Sequence, residues 1–174
     1  MLTTHQNHIL ELVHNMMPLM DQVIIHQKKE ENKVYKFIKE CRESYLVNEE
    51  HMKILEKCWN IEIPTILRQF YCNYNGAKIK LCKFFVDEFE YEISEILQLK
   101  YGECCFEEVI GNDRQNDIIP NNMIPIANDR GGNYYYWDMS SGRIYLFYCD
   151  DIDNPIYICS SIEELFEIMN LACL

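Results

Sequence analysis

Positive charge is scarce: 16 Lys and Arg stand against 28 Asp and Glu, a formal net charge of −12. Such a chain repels the phosphate backbone that nucleic-acid binders attract with Lys and Arg, so no nucleic-acid partner is expected. Long apolar runs are missing too. The opening stretch MLTTHQNHILELVHNMM has no basic leader region and no small-residue cleavage site, and Glu11, His14, Asn15 and Asp21 interrupt its apolar residues. Neither a signal peptide nor a membrane span is predicted, which points to the cytoplasm. The nine cysteines contain no CxxC pair and fall mostly in apolar patterns, as reduced core thiols do.

Motifs for chemistry are equally scarce. His5, His8, His14 and His26 form no HExxH or Cys/His set. Asp150, Asp151, Asp153 and Asn154 lack the Gly and the distant Glu of a calcium loop. No metal and no cofactor are expected. Cys104 and Cys105 with His51 would suit a cysteine hydrolase, but no nucleophile elbow, phosphate loop or paired-carboxylate motif accompanies them. No catalytic residue is assigned, and an enzyme ranks third among the functional readings.

What is present is material for a core. Apolar residues make up 48% of 174 residues and aromatics 13%, enough for one globular domain. Apolar positions from Ile9 to Ile25 recur at helical spacing around a kink at Pro18, and a second stripe joins Val34, Phe37, Ile38, Cys41 and Tyr45. Residues 1–47 therefore read as an N-terminal helical extension and residues 48–174 as an α+β domain. Asn48 caps a helix carrying Met52, Leu55 and Trp59, and Pro64 opens another that carries Ile66, Leu67, Phe70, Tyr71 and Tyr74. Asn75-Gly76 supplies its stop.

Beyond that stop, Lys78 to Phe85 reads as a strand and Glu90 to Leu99 as a short helix, while residues 100–122 carry no clear pattern. Strands are predicted at 123–127, 134–139, 144–149 and, after the acidic turn DDIDNP, at IYIC. Ser161 and Glu164 form a capping box for a last helix with Ile162, Leu165, Phe166 and Met169 on one face. The fold class is thus α+β: a mostly antiparallel sheet covered by helices on one face, with N-terminal helices and one C-terminal helix.

Two groups of residues are candidates for binding a partner. Strand alternation sends Tyr135 and Trp137 to one face and Tyr134 and Tyr136 to the other, with Tyr145 and Phe147 on the facing strand. One side must meet the helices; the other is either covered by residues 100–122 or left open as a Tyr/Trp face suited to an interface. Asp150, Asp151 and Asp153 form an acidic turn, solvated by default but able to meet a basic protein. The acidic residues between Asp87 and Glu108 read the same way. Gly131, Gly132 and Gly142 are assigned to turns on backbone grounds.

From about Asn48 to Asn170 the chain resembles the SUKH superfamily, which includes the Smi/Knr-type cell-wall regulators and many bacterial immunity proteins. The run LEKCWNIEIPTILRQFYCNYNG carries most of the resemblance, supported by IPIANDRGGNYYYWDMSSGRIY and IEELFEIM. Ile63-Pro64 takes the place of the family's Leu-Pro, Asn75-Gly76 matches its Asn-Gly, and Ile126, Asp129, Gly131 and Gly132 match a third stretch. Asn133 and Ala77 depart from the pattern, at positions where Asp and Gly are frequent. The resemblance implies an α+β fold without catalytic residues and, in bacteria, an antitoxin that binds and neutralises a cognate protein toxin. The acid excess permits that toxin to be basic. The alternative is a regulatory or scaffold protein acting in protein assembly, with residues 1–47 as a docking or dimerising helix pair.

Overall fold

A computed structural model describes residues 35–42, 45, 47–100 and 105–173. The helix expected over Ile9–Ile25 lies outside the described residues. The unit beginning at Tyr35 contains, in order, β1 (Ile38–Glu40), α1 (Glu49–Trp59), α2 (Thr65–Tyr74), β2 (Lys78–Ile79), β3 (Cys82–Val86), β4 (Phe89–Ile93) and β5 (Glu95–Ile96). It continues with α3 (Phe106–Gln115), β6 (Met123–Asn128), β7 (Tyr134–Asp138), β8 (Ile144–Tyr148), β9 (Asp151–Cys159) and α4 (Ile162–Leu171). Strands β5-β6-β7-β8-β9 form an antiparallel sheet in that order, and β1–β2 and β3–β4 are two-stranded antiparallel ribbons. The α+β class is as expected.

The helix starts follow from their caps. Asn48 accepts from the amide of His51 at 3.1 Å and Ser161 from that of Glu164 at 3.2 Å, each satisfying a donor the first turn leaves free. At the end of α2 the buried Asn75 precedes Gly76, whose φ of +67° turns the chain out of the helix. A methyl group on Gly76 would lie 2.8 Å from Cβ of Tyr45, so space as well as φ demands glycine.

One sheet face builds the main core. Tyr135, Trp137, Ile124, Ile126, Ile144 and Leu146 meet Met52 of α1, Phe70 of α2, Ile110 of α3 and Phe166 of α4. Tyr136 and Phe147 point the other way, where Ile119 covers them with Ile118, Met123 and Ile152 packed alongside. Ile118 and Ile119 thus cover the part of that face around Tyr136 and Phe147, while Tyr145 and Tyr157 leave another part open.

Four local expectations are corrected. The stripe from Val34 to Tyr45 is not one helix: residues 38–40 pair with β2, Ile38 opposite Ile79 and Glu40 opposite Lys78. Tyr35 stacks against Phe37, Phe70, Tyr74 and Phe166, and these aromatic contacts outweigh a weak helical periodicity. The helix expected at Glu90–Leu99 is two strands, because Tyr91 and Ile93 are buried at a spacing of two while their neighbours are not. The single strand expected at Lys78–Phe85 is β2 and β3, one in each ribbon.

The fourth correction is α3, in a stretch without an evident pattern. Phe106, Val109, Ile110 and Asp113 are its buried residues, a helical stripe masked in the sequence by a carboxylate at its last position. No helix among the described residues is long and apolar enough to cross a membrane.

Candidate partner-binding surface

The seven residues predicted to bind a partner do not form one surface. Tyr135 is fully buried on the helix-facing side, where its hydroxyl donates to the carbonyl of Glu92 at 2.9 Å and burial, with nearby Asp129, pushes its phenol up. Trp137 keeps only 9% of its surface. Both serve the main core, which corrects their assignment to an open aromatic face: the helices cover the side they point to. Phe147 belongs to the second cluster, its ring 5.0 Å from that of Tyr136. Tyr145 is half-buried and lies 5.9 Å from the ring of Tyr157, which is 45% exposed and lies beneath the Arg143 guanidinium.

Asp150, Asp151 and Asp153 are exposed where β8 turns into β9, and Asp151 accepts from the side-chain amide of Asn154 at 2.7 Å. They have a fixed neighbour in the β6–β7 turn. Asn133 donates from its backbone and side-chain nitrogens to the two carboxylate oxygens of Asp129, at 2.9 and 2.8 Å, and accepts from the amide of Cys149 at 3.1 Å. One side chain thereby joins both turns. Tyr148 lies in the resulting field: burial raises its phenol, and Tyr91, Asp129 and Asp150 raise it further by opposing a second negative charge.

The β3–β4 ribbon adjoins this end of the sheet. Arg130, in the β6–β7 turn, donates two hydrogen bonds to Glu92 at 2.7 and 2.6 Å, and these hold the Glu92 carboxyl below its ordinary value. Beyond that clamp the ribbon ends in the two-residue turn Asp87-Glu88, flanked by Phe85 at 68% exposure and Phe89 at 69%. Lys83 pairs with Glu90 at 2.8 Å, whereas Asp87 and Glu88 enter no ion pair among the described residues. The chain from Ile144 to its end has no Lys or Arg, while Asp150, Asp151, Asp153, Glu163, Glu164 and Glu167 lie within it.

Phe85 and Phe89 do not stand out in the sequence, although the runs flanking Asp87-Glu88 alternate as hairpin strands do. The obscuring feature was the turn itself. Asp87 adopts φ of +55° as a hairpin turn requires, but Glu88 stands where the Asp-Gly turn signal has its glycine.

Groups with the chemistry of ligands or nucleophiles are placed differently. Among the described residues no three His, Cys, Asp or Glu side chains are grouped to hold a metal. His51 completes the α1 capping box through a 3.4 Å contact from the amide of Asn48. Cys105 is buried, and burial pushes its thiol up, the reverse of what activates an attacking sulfur. Cys104 lies outside the described residues.

An antiparallel sheet faced by helices, with acidic turns gathered at one end, defines the class as an α+β domain. Residues 49–166 match the SUKH_6 family, described as SMI1-KNR4 cell-wall, and the chain belongs to that family and so to the SUKH superfamily. It is similar to the SPbeta prophage-derived uncharacterized protein YokK of Bacillus subtilis (strain 168), at 27% identity over 137 residues covering 66% of this chain and 70% of that protein. A crystal structure of a protein from Pseudomonas syringae pv. tomato aligns with a TM-score of 0.46 and 17% identity, covering 81% of this chain and 91% of the other.

Proposed function

We propose that this chain is an immunity protein: it acts in the cytoplasm without catalysis, binding a cognate toxin and blocking it. Membership in the SUKH family supports this reading, and similarity to a prophage-derived protein is in keeping with it. The observation that carries it is the acidic end of the sheet, where Asp129 and Asp150 share one electrostatic neighbourhood and Asp151 and Asp153 extend it into solvent. Carboxylates so arranged speed the encounter with a basic protein and fix its orientation.

Co-expression with the protein encoded in the neighbouring reading frame tests the proposal. The expected result is a stable complex and restored growth; replacing Asp150, Asp151 and Asp153 by Lys should slow association about tenfold at low salt. Absence of both complex and growth rescue discards it. The cell-wall description of the family favours a second reading, a regulatory protein of assembly. Complex formation without any effect on a toxic partner would select that one.

A further inference from the structure

We propose that the tip of the β3–β4 ribbon is the anchor of the interface, a knob that enters an apolar cleft rimmed by Lys and Arg on the partner protein. This inference rests on the immunity reading and specifies which part of the molecule holds the partner, and by what chemistry.

Pairing register sets the shape of the knob. Phe85 stands opposite Glu90, and Val86 opposite Phe89, so Phe85 lies on one face of the ribbon while Phe89 lies on the other. A flat partner would cover one ring and leave its fellow in water. A cleft closing over the tip would cover both, each already about two-thirds exposed. Burying two phenyl rings is the kind of contact that dominates interface energetics.

The base of the ribbon needs neither ring. Phe84 packs inward, its ring centroid 6.2 Å from that of Tyr91 and 6.5 Å from that of Tyr135, and Arg130 clamps Glu92. Phe85 and Phe89 therefore stand on a braced support without contributing to the core.

Charge selects the occupant. Asp87 and Glu88 sit between the rings with no ion pair among the described residues, and Asp129 and Asp150 add negative charge around Tyr148, which Tyr91 of β4 also neighbours. A cleft rimmed by cations would neutralise the tip carboxylates as the rings enter. An anionic lipid surface would repel them. A second copy of this acidic chain would place carboxylate against carboxylate.

Binding kinetics with an inactivated form of the neighbouring-frame protein decide the matter. The double variant Phe85→Ala, Phe89→Ala should dissociate about 100-fold faster than wild type, with its urea midpoint unchanged. The double variant Asp87→Lys, Glu88→Lys should associate about tenfold more slowly and lose salt dependence. Wild-type binding with the Phe variant within twofold of it overturns the anchor and leaves the immunity reading standing. No wild-type binding at all removes both. Sedimentation showing a wild-type dimer that the Phe variant abolishes would make a second copy the occupant and overturn the proposal.

Discussion

The side-chain amide of Asn75 pairs with the backbone of Leu99 as a strand neighbour would, accepting from its N–H at 2.7 Å and donating to its carbonyl at 3.0 Å. The same nitrogen donates to the carbonyl of Tyr45 at 2.6 Å, so a buried amide links the end of α2 to two distant segments. Replacing Asn75 by Asp keeps the acceptor but leaves two carbonyls without a donor. Both Asn75→Asp and Asn75→Ala should lose about 2–4 kcal/mol of stability, read as a lower urea midpoint at constant slope.

Two carboxylates should respond to pH with opposite sign. Burial opposes ionisation of Asp138, but donors from Ser140, Ser141 and Asn122 outweigh it and hold the group at about 2. Its folded value lies below its unfolded one, so its stabilisation is present above about pH 4 and lost as pH falls towards 2. Asp138→Asn should remove about 1–2 kcal/mol at pH 7 and flatten the stability profile across that window.

Asp113 behaves in reverse. Burial raises its carboxyl, and the hydrogen bond from the Tyr136 hydroxyl at 2.8 Å only partly offsets this. Protonation favours the folded state here, so this group's contribution weakens as pH rises from the unfolded value of about 4 through the folded one. Asp113→Asn keeps an acceptor for Tyr136 and removes the buried charge. Thermal melting at pH 7 should show it at least as stable as wild type, by up to about 1 kcal/mol.

Aromatic substitutions should separate core from surface. Tyr135→Ala empties a fully buried site and should cost about 3–5 kcal/mol, whereas Tyr157→Ala, at a half-exposed position, should cost less than about 1 kcal/mol. Equal effects in denaturation would contradict the arrangement of the two faces.

Thiol labelling offers an independent check. Cys41, Cys58 and Cys149 are exposed and should react rapidly with Ellman's reagent, while Cys82, Cys105 and Cys159 are buried and should react only on unfolding. Burial adds a chemical barrier, since it is the leading cause that lifts the thiols of Cys82 and Cys159 to about 12. Fast modification of Cys82 and Cys159 in the native protein would refute the packing of β3 and β9.

Much of this architecture is legible in the residue order. The caps at Asn48 and Ser161, the stop at Asn75-Gly76 and the strands around YYYWD and IYLFY announce themselves through local chemistry. What escapes is decided at long range. Phe37 and Ile38 share a helical stripe on paper, yet Phe37 is held by Phe70 and Phe166, residues far along the chain. Alternation correctly places Tyr135 and Trp137 on one face, but which face the helices take depends on packing that no local pattern encodes. Asp150, Asp151 and Asp153 were visible as charges; their link to Asp129 through Asn133 was not, because a single side-chain amide leaves no periodic trace.

Fastening two loops through Asn133 has a consequence for how such a surface can change over generations. The side chains of Asp150 and Asp153 project from a frame whose geometry is set by the Cys149 and Asn133 amides and the Asn133–Asp129 side-chain bond, not by their own identities. Each could be exchanged for another without disturbing the layers beneath. The charge of this end of the molecule can therefore vary independently of the fold that carries it.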